Sequence, residues 1–237
     1  MISAADKLIA HRGYPLRYPE NTLAGIEAAI RAGAKYIEVD VQLSADGVAV
    51  LFHDRDLLRL CSQPGAVQDY NWSALKTFRV EDEAIPGLDQ LVGLLAQNPR
   101  VGAFIELKRI SLAQFGEDRM LTEVMTILQP VLAQCVIISY SLPALAALRK
   151  RGQQPIGVVA DDWHALKQAA VQALQPEYLF CDIDSLPAEG NVQIPGSRLA
   201  VYECTDAEQA RRVLARGVDL VETFAIGEML ASLADRA

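Results

Sequence analysis

Two of the three histidines in this 237-residue chain, His11 and His53, close apolar runs within one short stretch, and carboxylates crowd the same stretch. The clusters are His11-Arg12-Gly13, Pro19-Glu20-Asn21-Thr22, Glu38-Val39-Asp40 and His53-Asp54, with Glu106-Leu107-Lys108 after the run Val101 to Ile105. Imidazole titrates near neutral pH, so His11 and His53 are the natural acid and base. Two carboxylates on one strand face raise each other's pKa unless a cation lies between them. An all-oxygen set of Glu38 and Asp40, with Glu106 as a third donor, suits a hard divalent ion, Mg²⁺ or Ca²⁺. Arg12 and Lys108 add fixed positive charge, and the planar fork of an arginine matches the oxygens of a phosphate. Each cluster alone has a blander reading: a core histidine, a solvated Glu-x-Asp edge, a Glu106–Lys108 ion pair. Their combination at strand ends favours a site. His164, in Asp162-Trp163-His164 at a helix start, has no such company and is expected to be structural.

The elements that must position these groups alternate along the chain. Strands are expected at Lys7–Ala10, Tyr36–Val41, Val101–Leu107, Cys135–Tyr140, Ile156–Ala160, Tyr178–Cys181, Leu199–Glu203 and Leu220–Thr223. Helical periodicity fills the gaps at Thr22–Ala32, Leu88–Asn98, Leu112–Leu128, Leu142–Arg151, Asp162–Leu174, Asp206–Arg216 and Gly227–Arg236. Such alternation predicts one (β/α)8 TIM-barrel domain over residues 1–237, since no glycine-rich nucleotide motif follows the first strand. Residues 54–86 break the alternation and read as a small insertion after the second-strand hairpin, a lid or substrate-shaping element. In that hairpin, Asp46-Gly47 suits the centre of a type I′ turn. The turn would place Asp40 opposite His53, with Glu38 on the same face two residues earlier.

Bulk composition narrows the partners. Hydrophobic residues make up 51% and charged residues 22%, enough for a sizeable core. A net charge of −8 argues against nucleic acid or an anionic membrane as partner and leaves a small-molecule substrate. Cys61, Cys135, Cys181 and Cys204 show no metal or redox spacing and read as small buried residues. With no signal-like or membrane-spanning run, the expectation is a cytoplasmic protein without stable membrane association. A homo-oligomer is left open.

The order Ile9-Ala10-His11-Arg12-Gly13, Pro19-Glu20-Asn21-Thr22, Ile37-Glu38-Val39-Asp40-Val41, Asp46-Gly47, His53-Asp54 and Ile105-Glu106-Leu107-Lys108 resembles the glycerophosphodiester phosphodiesterase family. The match is specific over residues 7–108 and looser beyond. It implies a TIM barrel and metal-dependent hydrolysis of glycerophosphodiesters to glycerol 3-phosphate and an alcohol. It further implies His11 and His53 as acid and base, and Glu38, Asp40 and Glu106 as metal ligands. Arg12 and Lys108 would hold the phosphate, with Glu20 near the metal, Asn21 shaping the first loop and Tyr202 as an aromatic wall. The C-terminal third departs from the family pattern. Val201-Tyr202-Glu203-Cys204-Thr205 stands where Val-Trp-Thr-Val-Asn is usual, and Glu222-Thr223-Phe224 where Ile-Thr-Asp is usual.

The departure at Glu203 would put an anion at the mouth and favour a cationic head group such as choline or ethanolamine. A phospholipase D-like barrel acting on lysolipids is the related alternative; it wants exposed apolar residues at the mouth, for which Tyr14, Leu16, Tyr18 and Trp72 are the candidates. A non-catalytic barrel binding a phosphorylated ligand should have lost a base or metal ligand, and none is missing. A metal-dependent sugar isomerase or aldolase leaves Arg12 beside His11 without a role.

Overall fold

Parallel strands buried on both faces appear in sequence as near-continuous apolar runs, and each such run here forms a strand of one sheet. The computed structural model describes residues 3–234. Strand β1 (Leu8–His11) and β2 (Tyr36–Leu43) are followed by β3 (Ala49–Leu51), which turns back antiparallel on β2. Strands β4 (Arg79–Val80) and β5 (Glu83–Ala84) form a separate two-stranded ribbon. Then come β6 (Gly102–Leu107), β7 (Cys135–Ser139), β8 (Ile156–Ala160), β9 (Tyr178–Asp182), β10 (Arg198–Tyr202) and β11 (Leu220–Thr223). Strands β1, β2 and β6 to β11 pair in parallel in that order, and β11 returns to β1, closing an eight-stranded barrel. The expected TIM barrel is therefore the observed one, and every predicted barrel strand falls within two residues of its place.

The helices follow their caps. Helix α1 (Leu23–Ala32) starts where the Thr22 hydroxyl accepts from Gly25 N–H and stops at Gly33, φ 104°. Helices α2 (Leu58–Cys61) and α3 (Trp72–Leu75) are single turns within the insertion, and α4 (Leu88–Gln97) returns the chain to the barrel. The expected helix 112–128 is two helices, α5 (Arg109–Phe115) and α6 (Glu117–Leu128), because Gly116 breaks the path at φ 79°. Helix α7 (Leu142–Arg151) forms as expected. The expected helix 162–174 does not form. A 3-10 turn at Ala165–Lys167 and the short α8 (Ala169–Gln172) stand there, split by extended Gln168. Trp163 is buried and its backbone N–H is tied to Ser185, and these tertiary contacts override the local periodicity. Helix α9 (Ala207–Ala215) is capped by Asp206, and α10 (Ile226–Ala234) ends the described chain. The last two positions of the expected final helix, Asp235 and Arg236, lie outside the described residues.

The hairpin corrects the expected register. Gly47, not Asp46, is left-handed, and Gly47 N–H donates to Ser44 O while Ser44 N–H donates to Val48 O. This is a type I turn followed by a left-handed glycine, a three-residue loop rather than a type I′ pair. The extra residue shifts the pairing to Leu43 with Ala49 and Val41 with Leu51, so Asp40 faces Phe52. His53 lies two residues beyond the strand. The insertion carries a small core of its own, with Leu57, Cys61, Val67, Leu75, Val80 and Ile85 packed on Val50 and Phe52. All four cysteines are free and buried.

Candidate active site

Strand alternation builds the site. Ile9, Phe104, Ile138, Phe180, Ala200 and Leu220 point into the barrel and form one apolar plug, with Val159. Two residues further along their strands, on the same inward face, come His11, Glu106, Tyr140, Tyr202 and Glu222. Strand β2 contributes Glu38 and Asp40 by the same alternation, with Glu38 paired to His11 and Asp40 to Glu106 across the sheet. The chemistry thus forms a polar layer resting on the plug at the C-terminal mouth, where TIM-barrel sites lie.

Glu38, Asp40 and Glu106 are buried, and each offers an oxygen within 4.8 Å of the others. Burial and the neighbouring Asp40 push the Glu38 carboxyl well above its usual range. Burial also raises Glu106, against Lys108. For Asp40 burial works upward too, but Lys108 and Arg12 overcome it and hold the carboxyl well below its usual range. Lys108 Nζ bridges the pair, 2.9 Å from Asp40 Oδ1 and 3.0 Å from Glu106 Oε1. Glu38 Oε1 is buried with no hydrogen-bond partner among the described residues. An unpartnered buried carboxylate oxygen in an all-oxygen set fits a hard divalent cation. A second acidic group, Glu20, His53 and Asp54, lies at the outer lip.

The two histidines are displaced in opposite senses. Burial disfavours the His11 imidazolium, yet Glu222 and the Glu203 hydrogen bond outweigh it and raise the pKa. For His53 burial dominates, helped by Lys108 and Arg12, and the pKa falls despite Asp40. His53 Nδ1 is 2.9 Å from Asp54 Oδ1, while Gln42 Nε2 donates to Phe52 O at 2.9 Å and Asp54 O at 2.7 Å. Gln42, unmarked in the sequence, thereby fixes the segment that carries His53 into the site despite the shifted register.

Around this layer the remaining expected residues divide. Arg12 N–H donates to Glu38 Oε2 and its guanidinium to Glu20, with Nε 3.4 Å from Asp40. Glu20 also takes both Nη atoms of Arg59, so it orients arginines at the lip and lies apart from the Glu38 cluster. Asn21, expected to shape the first loop, is tied to the carboxylate layer. It is 2% exposed, and its amide both donates to Asp40 Oδ2 and accepts from Asp40 N–H, which makes it a clamp on that carboxylate. The Tyr202 hydroxyl is 2.7 Å from that of Tyr140 and donates to Ala160 O. His164 is exposed and away from the site. Glu203 corrects an expectation. Its oxygens are bound to His11 Nδ1 at 2.6 Å and Phe224 N–H at 2.7 Å rather than free at the mouth. Glu222, 3% exposed, lies inside the layer, and its Oε1 has no partner among the described residues. Its alternation with Leu220 was the signal that could have found it.

A cavity of about 70 Å³ lies within the layer, lined by both histidines, Arg12, Glu38, Glu106, Lys108 and Glu222. A wider depression of about 450 Å³ shares His53, Glu106, Lys108 and Tyr140 and adds Arg55 and Arg109. The inner space has roughly the volume of two waters, enough for a small tetrahedral group, and the outer has room for its substituent.

Among known proteins, the family model described as "Glycerophosphoryl diester phosphodiesterase family" matches residues 11–223. A glycerophosphodiester phosphodiesterase of Bacillus altitudinis is 40% identical over 110 residues, 43% of this chain and 45% of that protein. The match thus spans under half of that relative's length. A glycerophosphodiester phosphodiesterase of Caldanaerobacter subterraneus is 29% identical over 231 residues, 91% of this chain and 93% of that one. The solved phosphodiesterase of Oleispira antarctica, in complex with the product sn-glycerol-3-phosphate, superposes with TM-score 0.84 at 23% identity, covering 95% of this chain and 96% of that one. The chain belongs to the glycerophosphoryl diester phosphodiesterase family.

Proposed function

We propose that this chain is a metal-dependent phosphodiesterase that cleaves glycerophosphodiesters to glycerol 3-phosphate and an alcohol. The observation that carries the reading is the single small cavity on which His11, His53, Arg12, Lys108, Glu38 and Glu106 converge. Arg12 and Lys108 bind and orient the phosphoryl oxygens. His53, whose charged form is disfavoured, takes the proton of the attacking hydroxyl. His11, whose charged form is favoured, gives a proton to the leaving alkoxide. A divalent cation held by Glu38, Asp40 and Glu106 supplies Lewis-acid polarisation of the phosphoryl group when bound, and Mg²⁺ and Ca²⁺ both suit the oxygen donors.

The outer depression supports a soluble diester. Arg55 and Arg109 line it and add fixed positive charge, which works against a cationic head group there. Glycerophosphoglycerol is therefore expected to match or exceed glycerophosphocholine. One observation favours the lysolipid alternative. Leu16, Tyr18 and Leu58 are 58%, 38% and 66% exposed, and they come from the first loop and the insertion, whereas Tyr14 is buried. A panel of glycerophosphocholine, glycerophosphoethanolamine, glycerophosphoglycerol and lysophosphatidylcholine decides, read as glycerol 3-phosphate or, for the lysolipid, choline. Expected is glycerol 3-phosphate from the diesters, abolished by chelator and restored by Mg²⁺ or Ca²⁺. No glycerol 3-phosphate from any diester overturns the function, and comparable kcat/KM for the lysolipid selects the alternative.

A further inference from the structure

Glu203 stands one residue past the end of β10, and Phe224 one residue past the end of β11. Both fall where the chain departs from the family pattern, and the fold brings both to His11. Glu203 Oε2 lies 2.6 Å from His11 Nδ1, and Glu203 Oε1 accepts from Phe224 N–H at 2.7 Å. The Phe224 ring stacks on the imidazole with centroids 4.8 Å apart and planes 14° from parallel. His11 is thus gripped at one edge and along one face. Its other nitrogen, Nε2, is left towards the carboxylate layer, 3.7 Å from Glu38 Oε2.

We propose that Glu203 is a positioning residue which, with Phe224, holds neutral His11 in the Nδ1–H tautomer and aims Nε2 at the reacting phosphodiester. The proposal rests on the phosphodiesterase reading for its catalytic consequence, but its structural content does not. A carboxylate oxygen only accepts, so the 2.6 Å contact places the shared hydrogen on Nδ1. The proton exchanged with substrate is then the one on Nε2, while the Nδ1–H bond stays intact through the step. The second oxygen is already committed to Phe224 N–H, which stops the carboxylate from rotating away.

The two bonds make Glu203→Gln a discriminating substitution. An amide has one acceptor and one donor end. If its oxygen keeps Phe224 N–H, its NH₂ faces Nδ1 and donates to it, which selects the opposite His11 tautomer. The Phe224 anchor, and with it any merely structural role, is preserved. With the amide donating to Nδ1, the ring keeps its one proton on Nε2 and cannot take up the second that makes it the acid, so kcat should fall by roughly 10²-fold while KM changes little.

The test is ¹⁵N-histidine NMR of the full chain, with the His11 signals assigned by their loss in His11→Ala, alongside kcat and KM. Expected is a neutral His11 carrying its proton on Nδ1 in the native chain and on Nε2 in Glu203→Gln. The kcat loss should not add to that of His11→Ala in the double variant. A native His11 protonated on Nε2 when neutral overturns the proposal, whatever the variants do. So does a Glu203→Gln protein with unchanged tautomer and kcat when His11→Ala is inactive. Full kcat in His11→Ala would instead overturn the catalytic role of His11, with the tautomer result still deciding the positioning.

Discussion

Opposite displacement of His11 and His53 sets the first expectation at the scale of single residues. Replacing either with Ala should lower kcat by roughly 10²–10⁴-fold and leave the melting transition in place. Each should also remove one limb of the pH–rate profile, and a His53→Ala enzyme with native kcat would exclude it from the mechanism. Glu222 has a different signature. Burial, with Glu203 and Glu106 adding, raises its pKa from 4.5 to about 7. The folded chain therefore binds this proton more tightly than the unfolded chain. That contribution to stability is complete below about 4.5 and is lost as pH rises through about 7. In chelated protein, Glu222→Gln should flatten the fall in stability across this window and gain roughly 1–3 kcal/mol at pH 8. Urea melts at pH 5 and pH 8 check it, and an unchanged pH slope in the variant would refute the assignment.

At the scale of elements, the segment from Phe52 to Asp54 is where geometry depends most on one side chain. Strand pairing runs out at Phe52, whose N–H donates to Asp40 O at 3.0 Å, and beyond it the two Gln42 bonds hold the carbonyls that flank His53. Gln42→Leu should leave the buried Phe52 carbonyl and the partly buried Asp54 carbonyl unpaired, at about 1–3 kcal/mol for the buried one, and lower kcat more than it raises KM. Equilibrium unfolding and steady-state kinetics test this together, and native kcat in a destabilised variant would show that His53 is placed by other contacts. The first loop depends on close approach instead. Gly13 has φ 90°, and a Cβ there would lie 2.9 Å from Ile26 N on α1, so this backbone needs glycine to bring Arg12 against Glu38 and Asp40.

At the scale of the whole molecule, cation binding links the site to stability. Glu38, Asp40 and Glu106 come from two neighbouring strands, β2 and β6, so an ion between them ties the barrel at its mouth. A ligand at 100 times its dissociation constant adds about 2.7 kcal/mol to a protein that binds it only when folded. For a chain of this size, Mg²⁺ or Ca²⁺ should raise the melting temperature of chelated protein by roughly 5–10 °C. Glu38→Gln should abolish the rise, and an equal rise in that variant would move the ion elsewhere. No helix among the described residues is long and apolar enough to cross a membrane.

Strand order, the barrel, and the placing of His11, Glu38, Asp40, His53 and Glu106 at one mouth were legible in the sequence. Apolar runs of strand length and caps such as Thr22 and Asp206 are local signals. A period-two pattern also states which residues share a face before any partner is known. What a local pattern cannot state is register and pairing across distance. Whether Asp46-Gly47 made a two- or three-residue loop depended on which residue took the left-handed conformation, and that choice moved Asp40 from His53 to Phe52. Trp163 and Ser185 broke a helix that its own periodicity favoured. Glu203 read as a free anion at the mouth because its partners lie 192 residues back and 21 residues ahead. Only closure of β11 against β1 brings Phe224, Glu203 and His11 together, and that contact turns a departure from the family pattern into a grip on the histidine.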